Sequence, residues 1–188
     1  MIRFFDTDPD NDMKPVVNIA SYHIASPKLD VLKPVRAGII PTWTDPSGRI
    51  WRCLGVDATH GELTDFGGGI RYKTDGTTLL GALRELREET LGVFQGALDL
   101  ARVDPAPCLF SRHMALFFVP LRGDISRNDI DRRFEVARQT AARSEISRLV
   151  WLDERTFRNY LSGSQAPTHP PMYEKLYTFL RRAAPLVR

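Results

Sequence analysis

The chain has 188 residues, of which 43% are hydrophobic and 26% are charged, a composition typical of one globular domain with a sizeable core. No apolar run approaches the roughly 18 residues of a membrane span, and the acidic start of the chain does not resemble a signal peptide. We therefore expect a cytoplasmic, intracellular protein with no membrane partner. Cys53 and Cys108 fit a reducing compartment and are expected to be small core residues. The net charge of +3 permits a polyanionic partner without requiring one.

Residues 1–34 are interpreted as an N-terminal extension, because Pro15, Pro27 and Pro34 interrupt any longer element. One short strand is predicted within it, over residues 16–20. A lid, an edge strand and a dimer arm all remain open as roles for this extension. A monomer and a homodimer are likewise both compatible with the sequence.

The pattern of a β-hairpin follows the extension. Strands are predicted over residues 37–43 and 50–56, joined by turn-forming residues at 45–48. Next come a polar loop over residues 57–64 and a glycine turn at residues 67–69. Successive glycines usually mean positive φ angles or the close approach of another chain segment.

Three glutamates share one face of a helix predicted over residues 78–91. Glu85, Glu88 and Glu89 stand at i, i+3 and i+4, within an arc of about 100°. Like charges so placed repel one another, and a Mg²⁺ or Mn²⁺ ion would reverse that repulsion. The alternative interpretation is an ordinary solvated helix face.

The glycine run and this helix together resemble the Nudix box, which has a glycine and a glutamate followed by R-E-(aliphatic)-x-E-E-x-G-(aliphatic). The matching residues are Gly67, Gly68, Arg84, Glu85, Leu86, Glu88, Glu89, Gly92 and Val93. The first glutamate of the box has no counterpart, since Asp75 or Gly76 falls at its position, and the extra residue Leu91 lengthens the end of the motif.

The resemblance implies an α/β fold, a Nudix α/β/α sandwich with a mixed central sheet, over residues 35–188. It also implies a Mg²⁺- or Mn²⁺-dependent pyrophosphohydrolase that cleaves a nucleoside diphosphate linked to another moiety. The residues that it assigns to the metal are Glu85, Glu88, Glu89 and the carbonyl of Gly67. Arg84 is expected to support these carboxylates through an ion pair rather than to contact the substrate.

The chain after the glutamate helix contains further strands and an arginine-rich insert. A strand region is predicted to run unevenly over residues 93–101, and a nearly continuous apolar run predicts a buried strand over residues 113–121. The insert, at about residues 123–144, is predicted to be partly an amphipathic helix. Its mixed charges are typical of a solvated face; contact with phosphates of a substrate or RNA is the alternative. A last helix is predicted at about residues 172–183.

A glutamate precedes a predicted strand and helix near the end of the resemblance. The strand is expected over residues 148–152 and the helix over about residues 154–161, with Asp153 as its cap. In the resembling family, a loop glutamate shortly before such a strand completes the metal site or serves as general base. Glu145 is the first candidate here and Glu135 the second.

Substrate recognition lies outside the box. Catalysis is assigned to Glu88, Glu89 and Glu145. Substrate binding is assigned to Phe66, Arg112, His113 and Arg52, and the aromatic candidates for stacking on a base are Trp43, Trp51, Phe66 and Tyr72.

Several substrate classes remain open on the sequence. The basic composition and residues 65–69 resemble divergent Nudix proteins of large DNA viruses, and some relatives of that kind remove mRNA caps. Capped RNA (mRNA decapping), small nucleotides and diphosphoinositol polyphosphates are therefore all candidate substrates. The rival class is a non-catalytic Nudix-fold module that binds RNA or a protein.

Overall fold

The computed structural model describes residues 17–18, 33–100, 108–111, 113–163 and 169–183. The strands are β1 Val17–Asn18, β2 Arg36–Thr44, β3 Ile50–Asp57, β4 Leu63–Thr64, β5 Phe66–Gly69, β6 Cys108–Phe110, β7 Met114–Pro120 and β8 Ile146–Asp153. The helices are α1 Tyr72–Asp75, α2 Thr78–Glu89, α3 Arg127–Thr140, α4 Glu154–Leu161 and α5 Glu174–Ala183. Within these ranges, no helix has the length and apolar character needed to span a membrane.

The strands form one mixed sheet that splits between β2 and β3. The order β1-β6-β7-β2-β3-β4 forms the main path, with β8 on β3 and β5 on β2. Strands β2 and β7 run parallel, and the other pairs are antiparallel. At one end β2 pairs with β3 through residues 42–44, whereas at the other end its residues 36–39 pair with β5. The glycine strand β5 therefore occupies the gap that opens as β3 turns away to pair with β4.

Helices cover both faces of the sheet, as the α/β/α prediction requires. On one face, α2 and α3 contribute buried side chains to a core that contains Ala82, Leu86, Ile130, Phe134, Ile39 and Phe117. On the other face, α4 and α5 contribute to a second core that contains Phe157, Tyr160, Leu176, Phe179, Ile40 and Phe118. Both cysteines are buried, as predicted. Three layers therefore bury apolar side chains on both sides of the strands.

Side-chain caps fix where the helices begin. Thr77 accepts a hydrogen bond from the amide of Leu80 at 3.1 Å at the start of α2. Ser126 and Asp129 form a reciprocal capping box at the start of α3. Asp153 accepts from the amide of Thr156 at 2.7 Å and caps α4, which confirms the predicted cap.

Most predicted elements are confirmed with small shifts of their ends. The strands at residues 37–43, 50–56, 113–121 and 148–152 and the helices at residues 78–91, 154–161 and 172–183 all have counterparts. The insert contains the predicted amphipathic helix, α3. Only residues 17–18 and 33–34 of the extension are described, and β1 pairs with β6 at the end of the main strand path.

Two local predictions are wrong. Residues 93–97 form turns instead of a strand, because Gly92 and Gly96 have φ angles of 76° and 70° that break an extended chain, and Leu98 makes only an isolated bridge with Leu121. The glycines at residues 67–69 are a strand rather than a turn, and none of them has positive φ. The alternative reason for glycine holds instead, since a Cβ on Gly67 would lie 2.4 Å from the Cα of Gly38.

Candidate active site

The glycine strand β5 and the glutamate helix α2 meet through two carboxylates. Glu89 Oε2 accepts a hydrogen bond from the amide of Gly67 at 3.1 Å. The carboxylate of Glu85 lies directly against Gly68, where a Cβ would be 2.5 Å from its Cδ atom. Glycine at this position therefore leaves the space that the Glu85 carboxylate occupies.

Glu89 is a largely buried carboxylate with two other carboxylates and one guanidinium nearby. Burial and the neighbouring carboxylates of Asp65 and Glu85 raise its pKa to about 8, although Arg36 and the Gly67 amide oppose the shift. The side chain of Asp65 is completely buried. A divalent cation near these groups would offset their mutual repulsion and favour the ionised form of Glu89.

Arg84 supports the carboxylates of its own helix. Its Nη1 atom donates to Glu85 Oε1 at 2.7 Å and to Glu88 Oε2 at 3.1 Å. Its Nε and Nη2 atoms donate to the two oxygens of Asp75 at 2.8 and 3.1 Å, and Nη2 also reaches the Gly69 carbonyl at 2.9 Å. These contacts raise the pKa of Arg84 above its ordinary value, with Asp75 as the largest contributor. The guanidinium is thus occupied by protein groups.

The donor chemistry of this site fits a hard divalent cation, although the ligands are not preassembled. Across the described ranges, no three His, Cys, Asp or Glu side chains are placed so that they could hold one ion together. Glu85 and Glu88 are both drawn to Arg84, and 47% of the Glu88 side chain is exposed. Carboxylate oxygens are the ligands that Mg²⁺ and Mn²⁺ prefer. Ion binding therefore requires a rearrangement, and the exposed Glu88 is the carboxylate best able to turn.

The carbonyl of Gly67, which the resemblance assigns to the metal, contacts a cationic side chain. Arg36 Nη2 donates to it at 3.0 Å. The same guanidinium holds both oxygens of Asp65, at 2.7 and 2.9 Å. Sequence reasoning assigned no role to Arg36, Asp65 or Asp75. The signal for Asp65 was its position directly before a buried aromatic residue and the glycine run, and the signal for Asp75 was its place near that of the first glutamate of the Nudix box.

A pocket brings Glu145 to the same place as Glu89. The pocket has a volume of about 370 Å³ and is lined by Asp57, His60, Glu62, Thr64, Glu89, Glu145, Ile146 and Tyr173. Glu145 is exposed in the loop before β8. Glu135 instead lies on the exposed surface of α3, where it pairs with Arg138 at 3.1 Å. Of the two candidate general bases, Glu145 is the one that shares a pocket with Glu89.

The structure corrects two of the assignments to substrate binding. Phe66 is fully buried and packs against Phe94, with the ring centroids 5.9 Å apart, so it is a core residue. Arg52 lies on the sheet face opposite α2, where its guanidinium stacks 4.6 Å from the ring centre of Phe157 and pairs with Glu154. Its aliphatic stem and charge are both used inside the second core. Neither side chain lines the pocket that contains Glu89.

His113 is exposed in the turn between β6 and β7, and its carbonyl accepts from the amide of Arg36 at 3.0 Å. A contact of His113 with substrate remains a prediction, and Arg112 lies outside the described residues.

The aromatic candidates for stacking have other contacts. The hydroxyl of Tyr72 donates to the carbonyl of Pro34 at 2.9 Å. Trp43 and Trp51 face each other across β2 and β3, and the guanidinium of Arg127 lies 5.5 and 4.0 Å from their ring centres. This pair lies at the end of β2 opposite the glycine strand. None of these three side chains lines the pocket that contains Glu89.

Comparison with known proteins identifies the fold. No family model and no curated protein matches the chain. A Nudix hydrolase from M. smegmatis, RenU, superposes with a TM-score of 0.50 at 12% identity, over 83% of this chain and 88% of that one. The C. elegans Ap4A hydrolase in a binary complex gives a TM-score of 0.46 at 12% identity, over 81% of this chain and 96% of that one. The NUDIX domain of Shewanella oneidensis NrtR with ADP ribose gives a TM-score of 0.41 at 13% identity, over 87% of this chain and 95% of that one. The likeness to RenU, together with the split mixed sheet between two helical layers, shows that this chain has the fold of the Nudix hydrolases.

Proposed function

We propose that the protein is a Mg²⁺- or Mn²⁺-dependent pyrophosphohydrolase whose substrate is a nucleoside diphosphate linked to another moiety. The observation that carries this proposal is the convergence of Glu85 and Glu89 on the glycine strand. Glu85 lies on Gly68, Glu89 accepts from Gly67, and Asp65 lies close enough to raise the pKa of Glu89. Arg36 pairs with Asp65 and Arg84 pairs with Glu85, so Glu89 is the carboxylate of the three whose buried charge a bound cation would offset.

Glu85, Glu88 and Glu89 are the residues that would hold the cation. A bound divalent cation supplies charge neutralisation for the diphosphate and lowers the pKa of a coordinated water. Arg84 keeps Glu85 and Glu88 next to each other through its Nη1 atom. Glu89 is mostly protonated at neutral pH without metal, because its pKa is about 8, and it gives up this proton as the site fills.

Glu145 is proposed as the general base. It lines the same pocket as Glu89 and is exposed, so its carboxylate can reach a water molecule in that pocket. A positioned carboxylate that takes the proton of the attacking water contributes a factor of about 10² to 10⁴ in rate. Glu88 and Glu89 would contribute to the reaction by holding the cation.

The charge of the pocket favours some substrate classes over others. Four of its lining residues are acidic: Asp57, Glu62, Glu89 and Glu145. A diphosphoinositol polyphosphate carries many phosphates and would be repelled by this lining. A nucleotide with few phosphates is a better fit, and Tyr173 offers a ring for its base. Capped RNA is the second candidate, because the N7-methylated guanine of a cap is a positively charged base that acidic and aromatic side chains suit.

The competing class is a non-catalytic Nudix-fold module that binds RNA or a protein. The retention of Glu85, Glu88 and Glu89 supports a catalyst instead. The melting temperature measured with and without Mn²⁺ distinguishes the two classes, since only a protein with a metal site is stabilised by the ion.

The decisive experiment is product release from a substrate panel with Mg²⁺ or Mn²⁺. The panel contains cap-labelled RNA, ADP-ribose, diadenosine polyphosphates, a nucleotide sugar, an oxidised nucleoside triphosphate and a diphosphoinositol phosphate. Glu89→Gln runs in parallel, and Glu135→Gln is the matched control on the exposed face of α3. Turnover that is lost only in Glu89→Gln supports the proposal. Absence of turnover throughout, with RNA or protein binding intact in Glu89→Gln, favours the binding module.

A further inference from the structure

A buried ion pair lies beneath the glycine strand and is not used in the mechanism above. Arg36 comes from β2 and Asp65 from the residue between β4 and β5. The guanidinium contacts both carboxylate oxygens, at 2.7 and 2.9 Å, in a two-point arrangement. The Asp65 side chain has no exposed surface, and 28% of the Arg36 side chain is exposed.

One residue, Gly67, connects this ion pair to Glu89 through the two peptide groups on either side of its Cα atom. Arg36 Nη2 donates to the carbonyl of Gly67 at 3.0 Å, and the amide of Gly67 donates to Glu89 Oε2 at 3.1 Å. Asp65 thus holds Arg36, Arg36 holds the carbonyl of Gly67, and the amide of the same residue donates its N–H to Glu89. Each step is a direct hydrogen bond.

Two glycines enclose the Asp65 carboxylate. A Cβ on Gly38 would lie 1.9 Å from Asp65 Oδ2, and a Cβ on Gly67 would lie 2.9 Å from the same atom. These paired glycines of β2 and β5 make room for a charge inside the fold. Because a buried ion pair adds little net stability compared with an apolar pair of the same volume, stability alone explains this arrangement poorly.

We propose that Asp65 is a positioning residue for Glu89 that acts through Arg36 and the backbone of Gly67. This inference rests on the proposed function, in which Glu89 holds the cation. The Asp65 carboxylate sets the orientation of the guanidinium, which in turn keeps the Gly67 N–H aimed at Glu89 Oε2. Loss of Asp65 releases Arg36 and loosens the backbone of Gly67, so that its contact with Glu89 is less well held.

Hydrogen exchange at the Gly67 amide tests the inference without metal or substrate. Exchange is followed by NMR on the full chain for the wild type, for Asp65→Asn and for Arg36→Lys. Arg36→Lys keeps the positive charge, but the lysine ammonium lacks the planar set of N–H donors with which the guanidinium contacts both Asp65 and Gly67. We expect both variants to exchange Gly67 about tenfold faster or more, because the amide is no longer held on Glu89. The matched control is Asp124→Asn, which breaks an exposed pair with Arg122 and should leave Gly67 unchanged.

Kinetics give the second readout. A positioning role predicts that kcat falls about tenfold in Asp65→Asn while KM stays unchanged, because substrate contacts are preserved. Folded Asp65→Asn or Arg36→Lys with wild-type exchange at Gly67 would overturn the inference, as would a rise in KM alone, which would make Arg36 a substrate ligand. If Asp65→Asn does not fold, hydrogen exchange at Gly67 in Arg36→Lys tests the inference in its place. Faster exchange in a protein that hydrolyses no substrate supports the positioning contact and rejects the hydrolase instead.

Discussion

Arg84 and Asp75 form a two-point ion pair, with Nε 2.8 Å from Oδ1 and Nη2 3.1 Å from Oδ2. Asp75 ends the short helix α1, shortly before α2 begins, and 4% of its side chain is exposed. Its carboxylate holds the guanidinium that contacts Glu85 and Glu88. Asp75 is one of the two residues that fall where the Nudix box has its first glutamate, and its carboxylate supports the site.

Replacement of Asp75 by alanine should destabilise the fold. The change removes the main partner of the Arg84 guanidinium. Only 14% of the Arg84 side chain is exposed, so water replaces that partner poorly. We expect a loss of about 3 kcal/mol in the free energy of unfolding, the usual cost of removing one member of a buried pair. Urea denaturation measures this loss. Asp124→Ala is the control, because its pair with Arg122 is exposed and is worth less than about 1 kcal/mol. Equal losses in the two variants would show that the Asp75–Arg84 pair contributes no more to stability than an exposed ion pair does.

Glu89 should make the stability of the metal-free protein depend on pH. Its pKa rises from an ordinary value of 4.5 to about 8 in the folded state, so the folded state binds this proton more tightly than the unfolded state does. The stabilisation is complete below pH 4.5 and is lost as the pH rises towards 8, by at most about 5 kcal/mol.

Glu89→Gln removes this titration and should flatten the profile between those limits. Chemical denaturation at several pH values in the presence of a chelator provides the comparison. Added Mn²⁺ should restore stability to the wild type at pH 8 and have a much smaller effect on Glu89→Gln. Parallel profiles for the two proteins would contradict the assignment of the raised pKa to Glu89.

The local elements were predictable because their signals are local. The hairpin of β2 and β3 follows from two apolar runs around a turn, and the cap of α4 follows from Asp153 before a helical pattern. That the three glutamates of α2 share one helix face follows from their spacing, whereas their assignment to a metal came from the resemblance to the Nudix box. Each of these features depends on residues within about one or two turns of chain.

The failures concern relationships across the fold. Arg36 and Asp65 are separated by 29 positions, and only the pairing of β2 with β5 brings them together. The sequence also does not reveal which face of a strand turns towards the site, so Arg52 was assigned to substrate although it points into the opposite core. The extended form of the glycine strand depends on the split of the sheet, which no residue pattern in that segment encodes.

Glu145→Gln should reduce turnover far more than Glu135→Gln. Glu145 lines the pocket that contains Glu89, whereas Glu135 is paired with Arg138 on exposed α3. We expect kcat to fall about 10²-fold or more in Glu145→Gln, with little change in metal affinity, because a general base acts on water and not on the ion. The substrate identified from the panel is used for the assay, and Mn²⁺ affinity is measured separately by calorimetry. A stronger effect of Glu135→Gln would move the general base to α3.

Gly68→Ala should disrupt the site although it adds only one methyl group. The new Cβ would lie 2.5 Å from Glu85 Cδ, so the carboxylate has to leave its place over β5. We expect Mn²⁺ affinity to fall about tenfold or more, since the displaced Glu85 also disturbs the contact that it shares with Arg84. The matched control is Gly69→Ala in the same strand, where a Cβ meets no atom within 4 Å and the φ angle is not positive. Calorimetric titration of both variants with Mn²⁺ provides the measurement. Equal affinities would mean that Glu85 does not bind the ion from its position over Gly68, which would leave Glu88 and Glu89 as its carboxylate ligands on α2.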